Sequence, residues 1–179
     1  MGTHPSRRME WANDLKVKTF PTTTKADGLY FVCCLTAYDT RNQEIARSMA
    51  TIFNALNVDF MWLGVEEWCC GDHQLRLGEK GLFESLAEHN LAMFDKLSFN
   101  KIVTLSPHCY NTFKNDKPYR DAKLNIQHYT QFIAEKIETG ELELPKKGKR
   151  RIAYHDPCFL GKRNQIFDVP RRILKSLNG

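Results

Sequence analysis

Several features that would assign a protein to a class are missing from these 179 residues. No apolar run approaches the roughly 18 residues of a membrane-spanning helix, and residues 1–14 contain no apolar signal-peptide core. No Gly-x-Gly-x-x-Gly or Walker sequence indicates a phosphate-binding loop, and no Ser-His-Asp or paired-carboxylate arrangement stands out. We therefore expect a cytoplasmic globular domain, which reaches the inner face of a membrane only through partner proteins.

Basic residues are concentrated towards the C-terminus. Residues 146–175 hold ten Lys or Arg and two acidic residues, whereas the rest of the chain has 16 basic and 19 acidic ones. The densest run, from Lys146 to Arg151, lies between a predicted helix and a predicted strand. We interpret it as a solvated loop, with a docking patch for an acidic partner as the alternative, and we expect no nucleic-acid partner.

Short apolar segments alternate with amphipathic helical segments along the chain. The predicted strands are 28–34, 58–63, 101–105, 125–128 and 151–154. The first predicted helix begins with a cap at Asp39 or Thr40, and further helices are predicted at 82–97, 129–139 and 170–177. This alternation predicts an α/β layered domain with a mostly parallel sheet flanked by helices.

Cysteines provide the strongest chemical signal in the sequence. The six are Cys33, Cys34, Cys69, Cys70, Cys109 and Cys158. Without a secretion signal, metal or redox chemistry is favoured over a disulfide framework. They end or follow predicted strands, and the carboxyl ends of parallel strands share the sheet edge at which ligands bind. We expect the thiols to meet at that edge, although Cys33 alone also fits a packed apolar position.

The cysteine spacing resembles a known family. Cys34 is followed after 34 residues by Cys69-Cys70-Gly71, and after a further 34 by Ser106-Pro107-His108-Cys109. The segments 37–42 and 154–161 carry matching motifs, AYDTRN and YHDPCFLG. Together they resemble the CCG domain, the cysteine-rich iron–sulfur domain of heterodisulfide reductase subunits B and D. The resemblance is strongest to the iron–sulfur oxidoreductases linked to electron-transfer flavoproteins and quinones.

The resemblance implies an iron–sulfur cluster of the [4Fe-4S] type, cubane or noncubane. Its implied ligands are Cys34, Cys69, Cys70 and Cys109. The family has a Cys-x-x-Cys pair in the third motif, and Ser106 stands where its first cysteine belongs. A serine alkoxide is a harder ligand than a thiolate, so the cluster type stays open. The candidates for an extra ligand are Cys33 and Ser106.

Three polar residues are candidates for groups that orient the ligands. Asp72 and Arg76 follow the cysteine pair directly, and His108 precedes Cys109. Each of the three is also compatible with an ordinary surface ion pair or turn. In the pair Glu66-Glu67, adjacent positions point in different directions, so only one carboxylate can face the site.

Family members carry two CCG repeats, and this chain has room for one. The resemblance divides it into a linker-like segment, 1–26, a first repeat, 27–145, and the start of a truncated second repeat, 146–179. Cys158 would then be an orphan ligand of the second repeat, with His155 beside it. The division implies a fragment, a truncated reading frame or one piece of a split protein.

The implied function is that of an electron-transfer module rather than an enzyme that turns over alone. Its partners would be a flavoprotein or ferredoxin-like subunit and a chain supplying the second repeat. Disulfide cleavage is not expected of this chain by itself. The alternatives are a structural zinc site with no redox role and a metal-free thiol–disulfide protein that uses Cys69 and Cys70. The sequence does not identify the electron donor or acceptor.

Overall fold

A computed structural model describes residues 5–145 and 151–178. Its strands are β1 Lys18–Thr19, β2 Gly28–Phe31, β3 Phe60–Trp62, β4 Lys101–Thr104 and β5 Ile126–His128. They form one five-stranded sheet in the order β1-β3-β2-β4-β5, in which every pairing is parallel. The central strand β2 sets Leu29 beside both Met61 and Ile102. The predicted α/β fold with a parallel sheet is confirmed.

Helices connect the strands and cover the sheet. They are α1 Cys34–Tyr38, α2 Thr40–Ala55, α3 Asp72–Arg76, α4 Lys80–Phe94, α5 Pro107–Asn115, α6 Tyr129–Glu138 and α7 Asp168–Asn178. Asp39 caps α2 as predicted, because its carboxylate accepts the Asn42 N–H at 2.9 Å. Gly140 ends α6 with a φ of 74°. Among the described residues, no helix is both long and apolar enough to cross a bilayer.

The two faces of the sheet bury different core clusters because side chains alternate along each strand. Phe31 points to the face covered by α4 and α5, where its ring lies 4.7 Å from that of Phe113. Its neighbour Tyr30 points to the opposite face and lies 5.3 Å from Phe53 of α2. Four cysteines, 33, 34, 70 and 109, belong to the first of these clusters.

The N-terminal segment is more structured than its linker-like sequence indicates. Residues Pro5–Ala12 form a 3-10 helix, and Lys18–Thr19 add the edge strand β1. Trp11 is fully buried, with its ring centroid 4.8 Å from that of Trp62. Aromatic contacts of this kind hold the segment against the sheet.

One predicted strand is wrong. Residues 151–154 are exposed and lie outside the sheet, with Ile152 49% exposed. A short apolar alternation forms a strand only where a neighbouring strand supplies hydrogen bonds, and the described part of the chain offers none there. Most of the basic run, residues 146–150, lies outside the described residues. The helix predicted at 170–177 is confirmed as α7.

His128 ends β5 as a buried, neutral imidazole. Its Nε2 lies 3.1 Å from the Leu105 carbonyl and must donate to it, so Nδ1 accepts from the Thr130 hydroxyl at 2.8 Å. Burial lowers the pKa of His128 to about 4. The native state therefore disfavours protonation of His128. Neutral His128 stabilises the native state above the pKa that it has in the unfolded chain, and this stabilisation is lost as the pH falls.

We expect this histidine to make the fold acid-sensitive. The metal-free protein should lose about 2–3 kcal/mol of unfolding free energy through His128 between about pH 6.5 and pH 4. Urea unfolding at several pH values measures this loss. The variant His128→Phe should have a shallower pH profile than the wild type, because it lacks the titrating imidazole. Identical profiles for His128→Phe and wild type would contradict the assignment.

Candidate metal centre

Three chain segments carry cysteines to the carboxyl edge of the sheet. Cys33 and Cys34 come one residue after the end of β2, and Cys34 begins α1. Cys69 and Cys70 lie in the loop between β3 and α3, and Cys109 lies in the first turn of α5 after β4. Since β2, β3 and β4 are adjacent and parallel, their carboxyl ends bring these segments together.

The five cysteines Cys33, Cys34, Cys69, Cys70 and Cys109 interact with one another in a ring, called the thiol ring below. The Cys34 and Cys69 sulfurs are 3.5 Å apart, and those of Cys70 and Cys109 are 3.2 Å apart. Side-chain interactions also link Cys33 with Cys34 and Cys109, and Cys69 with Cys70. Four of the five residues are 0–6% exposed, and Cys69 is partly buried. The gathering expected from the sequence is therefore present, and it includes Cys33.

The ring cannot carry five negative charges by itself. Interactions with the Cys109 and Cys34 thiols lower the pKa of Cys33 well below its ordinary range, and the interaction with the Cys34 thiol lowers the pKa of Cys69. The neighbouring sulfur of Cys33 raises the pKa of Cys34, and burial raises the pKa of Cys109. Like charges in a buried site oppose one another. A bound metal supplies positive charge and displaces the thiol protons. All five thiols can therefore become thiolates only when such a cationic group is bound.

The chemistry of the donor set fits an iron–sulfur cluster. Buried thiols from three loops are the ligands that such clusters use. Among the described residues, no three His, Cys, Asp or Glu side chains are arranged as they would be around a single metal ion. The sulfurs contact one another around a ring instead. The residues that could hold the cluster are Cys33, Cys34, Cys69, Cys70 and Cys109.

Glu67 holds the backbone beside the ring and is the main residue that sequence reasoning did not single out. Its carboxylate accepts the N–H groups of Val32 and Cys33 at 2.8 and 2.9 Å, and the Trp62 indole N–H at 3.1 Å. Arg8 donates to it at 2.7 Å. Burial raises the pKa of Glu67 to about 7 against the opposing effect of Arg8. The sequence indicated only that one member of the pair Glu66-Glu67 would face the site.

Asn90 fixes the backbone on the other side of the ring. From α4 it donates to the Cys69 carbonyl and to the Tyr119 hydroxyl, each at 3.0 Å, and accepts the Trp68 N–H at 3.3 Å. It is fully buried. The sequence contained a signal for it, because the spacing from Phe83 places Asn90 on the apolar face of the helix. A polar residue at such a position requires buried partners.

Asp72, Arg76 and His108 interact as a network that links α3 to α5. Asp72 is buried and contacts His108 Nδ1 at 2.7 Å, the Thr112 hydroxyl at 3.1 Å and Arg76 Nε at 3.2 Å. The hydrogen bond with Asp72 raises the pKa of His108. Against the effect of burial, bonds from His108 and Thr112 lower the pKa of Asp72. The network connects α3, which follows the cysteine pair, to α5, which carries Cys109. The orienting role stays a prediction.

The remaining candidates lie outside the thiol ring. Ser106 caps α5, because its hydroxyl accepts the Cys109 N–H at 3.5 Å. Cys158 and His155 are both exposed. The adjacent Phe159 ring packs 4.3 Å from the His108 ring. The segment that begins the predicted second repeat therefore packs beside the site without adding a thiol to it.

Gly71 allows the turn that follows the cysteine pair. Its φ is 85°, and its N–H lies 3.5 Å from the Cys69 sulfur. A Cβ at this position would lie 2.6 Å from Cδ2 of the buried Phe83 ring. Alanine there would combine left-handed backbone strain with a steric clash.

We expect Gly71→Ala to lower the unfolding free energy of the metal-free protein by about 2–5 kcal/mol. Gly78 is the matched control, because it has a similar φ of 89° and nothing within 4 Å of the position that a Cβ would take. Gly78→Ala should therefore cost only the backbone strain, about 1–2 kcal/mol. Urea unfolding of both variants makes the comparison. Equal losses would show that the contact with Phe83 is unimportant.

Comparison with known proteins places the cysteine motifs in a defined domain. Residues 29–114 match the model of the CCG cysteine-rich domain. No solved structure matches the chain. The matched range contains the five ring cysteines, Glu67, Asn90 and the Asp72 network.

Curated relatives extend the similarity over nearly the whole chain. The probable iron-sulfur-binding oxidoreductase FadF of Bacillus subtilis is 37% identical over 99% of this chain and 26% of its own length. The EtfAB:quinone oxidoreductase of Syntrophomonas wolfei is 32% identical over 96% of this chain and 25% of its own. A subunit of the dihydromethanophenazine:CoB–CoM heterodisulfide reductase of Methanosarcina barkeri is 32% identical over 96% of this chain and 42% of its own. The chain thus spans about a quarter to two fifths of the length of these relatives.

Proposed function

Because residues 29–114 of this chain match the CCG cysteine-rich domain family, we propose that the chain is an electron-transfer module of an iron–sulfur oxidoreductase. The observation that carries the proposal is the ring of buried thiols at the carboxyl edge of the sheet. Cys34, Cys69, Cys70 and Cys109 are its proposed cluster ligands. When bound, a cluster of the [4Fe-4S] type supplies one-electron oxidation and reduction.

The protein's own residues would bind the cluster and limit its contact with water. The ring cysteines lie in the core cluster that includes Phe31 and Phe113, which excludes solvent from one side. The Gly71 N–H donates towards the Cys69 sulfur, and hydrogen bonds to sulfur are among the features that set a cluster's potential. Cys69 is the most exposed ring member and marks the side nearest to solvent.

Redox partners are proposed to approach on that side. Leu35 and Trp68 directly follow and precede ring cysteines and are 58% and 42% exposed. Exposed apolar side chains grouped at a site are typical of surfaces that contact other proteins. The relatives named as an EtfAB:quinone oxidoreductase and a heterodisulfide reductase subunit support a flavoprotein or another iron–sulfur subunit as the partner. We propose that any membrane contact is made through such partners.

Metal analysis of the chain, purified without oxygen, tests the proposal. We expect about four irons and four sulfides per chain, a brown colour, and a visible absorption band that a reductant bleaches. A potentiometric titration should fit a one-electron process. One zinc per chain and no iron would overturn the redox function and favour the structural zinc alternative. A chain that takes up neither metal on anaerobic reconstitution would also overturn it.

A further inference from the structure

Cys33 has a backbone conformation that is rare outside glycine. Its φ is 77° and its ψ is 148°, where a Cβ clashes with the neighbouring peptide groups. The surrounding structure holds it there on both sides. Glu67 accepts the N–H groups of Val32 and Cys33, and the Cys33 carbonyl accepts the Ala37 N–H at 3.0 Å. Strain of this kind persists only where other interactions determine the conformation, and it is concentrated at functional sites.

The conformation directs the Cys33 thiol into the ring. The thiol interacts with Cys109 of α5 and with its neighbour Cys34, and all three residues belong to the same buried cluster. Cys33 thereby links the cysteines that come after β2 to the cysteine that comes after β4. The residue is only 6% exposed. A packed apolar side chain would not need a strained backbone, so the role of a simple core residue leaves the conformation unexplained.

Ser106 has a structural role that differs from the role of Cys33. Its hydroxyl accepts the Cys109 N–H and so caps α5, and its own N–H lies 3.5 Å from the Thr104 hydroxyl. Pro107 follows at the first helical position, which is typical of a helix start. Ser106 thus positions the turn that carries Cys109, while Cys33 brings a fifth sulfur to the ring.

Resting on the proposed function, we infer that Cys33 is a fifth thiolate ligand of the cluster and that Ser106 is a helix cap rather than a ligand. On binding, an iron–sulfur bond forms at Cys33, and its thiol proton is released to solvent. The sulfur does not change oxidation state in this step. Because position 106 is a serine, the fifth thiolate comes from another residue. The strained backbone at Cys33 is what allows its thiol to supply it.

The variant Cys33→Gly tests this inference directly. Glycine adopts the backbone conformation without strain, so the metal-free variant should fold with a thermal midpoint equal to or above that of wild type. The reconstituted variant should have a changed EPR spectrum. Its iron should be lost to a chelator at least 10-fold faster, since even groups that only support a ligand affect metal affinity by 10–100-fold.

Two further variants make the test specific. Ser106→Ala should lower the thermal midpoint of the metal-free protein but keep the wild-type EPR spectrum, because it removes only a cap. The double variant Cys33→Gly/Ser106→Cys should hold its iron longer than Cys33→Gly alone, since it returns a fifth thiol. An unchanged spectrum and chelator half-life in Cys33→Gly would overturn the inference. So would a spectral change in Ser106→Ala equal to that in Cys33→Gly, or a double variant no better than Cys33→Gly.

Failure of the proposed function is distinguishable from failure of this inference. If the wild-type chain takes up no iron, the electron-transfer proposal fails and the ligand assignment fails with it. If the wild-type chain takes up iron and Cys33→Gly behaves identically, only the assignment of Cys33 fails. The EPR spectrum and the chelator half-life are both measured without any redox partner.

Discussion

Replacing Cys70 with alanine is expected to reduce the iron bound per chain at least tenfold. Cys70 is 4% exposed and lies between Cys69 and Cys109 in the thiol ring. Without Cys70, the sulfur contact between the loop before α3 and Cys109 of α5 is lost. The proposed cluster also loses a buried thiolate ligand. The loss of a ligand should exceed the 10–100-fold effect of losing a group that only supports one. Iron and sulfide analysis after anaerobic reconstitution measures the result.

Cys158→Ala is the matched control for this experiment. Cys158 is exposed and lies outside the ring, so its removal should leave iron content and visible spectrum unchanged. The metal-free Cys70→Ala protein should keep its far-UV circular dichroism, because the side chain lost is small. A Cys70→Ala variant that binds as much iron as Cys158→Ala would contradict the proposed ligand set.

The second large effect is expected at Glu67. Glu67→Gln should lower the unfolding free energy of the metal-free protein by about 3–5 kcal/mol, the range for breaking a buried ion pair. The substitution leaves the buried Arg8 without a counter-charge and turns an amide group towards backbone and indole donors. Because the amide keeps only one acceptor oxygen, either the Val32 or the Cys33 N–H group loses its acceptor, and the strained segment before Cys34 is held less firmly. Reconstituted Glu67→Gln should therefore bind iron less tightly than wild type.

The adjacent residue supplies the control. Glu66 is more exposed than Glu67, so Glu66→Gln should change the unfolding free energy by no more than about 0.5 kcal/mol. Urea unfolding of both variants gives the stability difference, and chelator competition gives the difference in iron retention. A loss below about 1 kcal/mol in Glu67→Gln would mean that the ion pair with Arg8 contributes little and that the segment 32–34 is held by other contacts.

Much of the fold was accessible from the sequence because its signals are local. The run from Gly28 is apolar and β-rich, Asp39 is a good helix cap, and Gly140 ends a helix at a left-handed position. Each depends on neighbours within a few residues. The edge strand Lys18–Thr19 has only two residues and no periodicity, so no pattern could indicate it. The strand predicted at 151–154 had a local pattern but no partner strand among the described residues.

The site was only partly predictable from the sequence. The cysteines could be placed at one sheet edge because parallel strands with crossover helices put their carboxyl ends together. Asn90 could have been found, since it interrupts the apolar face of α4. Glu67 could not be placed, because nothing in its neighbourhood indicates the backbone groups of Val32 and Cys33 that it contacts 34–35 positions away.

The fold class, the elements with local signals and the gathering of the cysteine motifs at one sheet edge could be predicted from the amino-acid sequence alone. Which thiols meet depends on the folded chain, in which Cys33 lies among the ring cysteines, Ser106 caps α5 and Cys158 is exposed. This is because a sulfur contact depends on the relative positions of three loops and on one left-handed backbone angle. Those positions follow from sheet register and from the buried contacts of Glu67, Asn90 and Asp72, which join residues far apart in the chain.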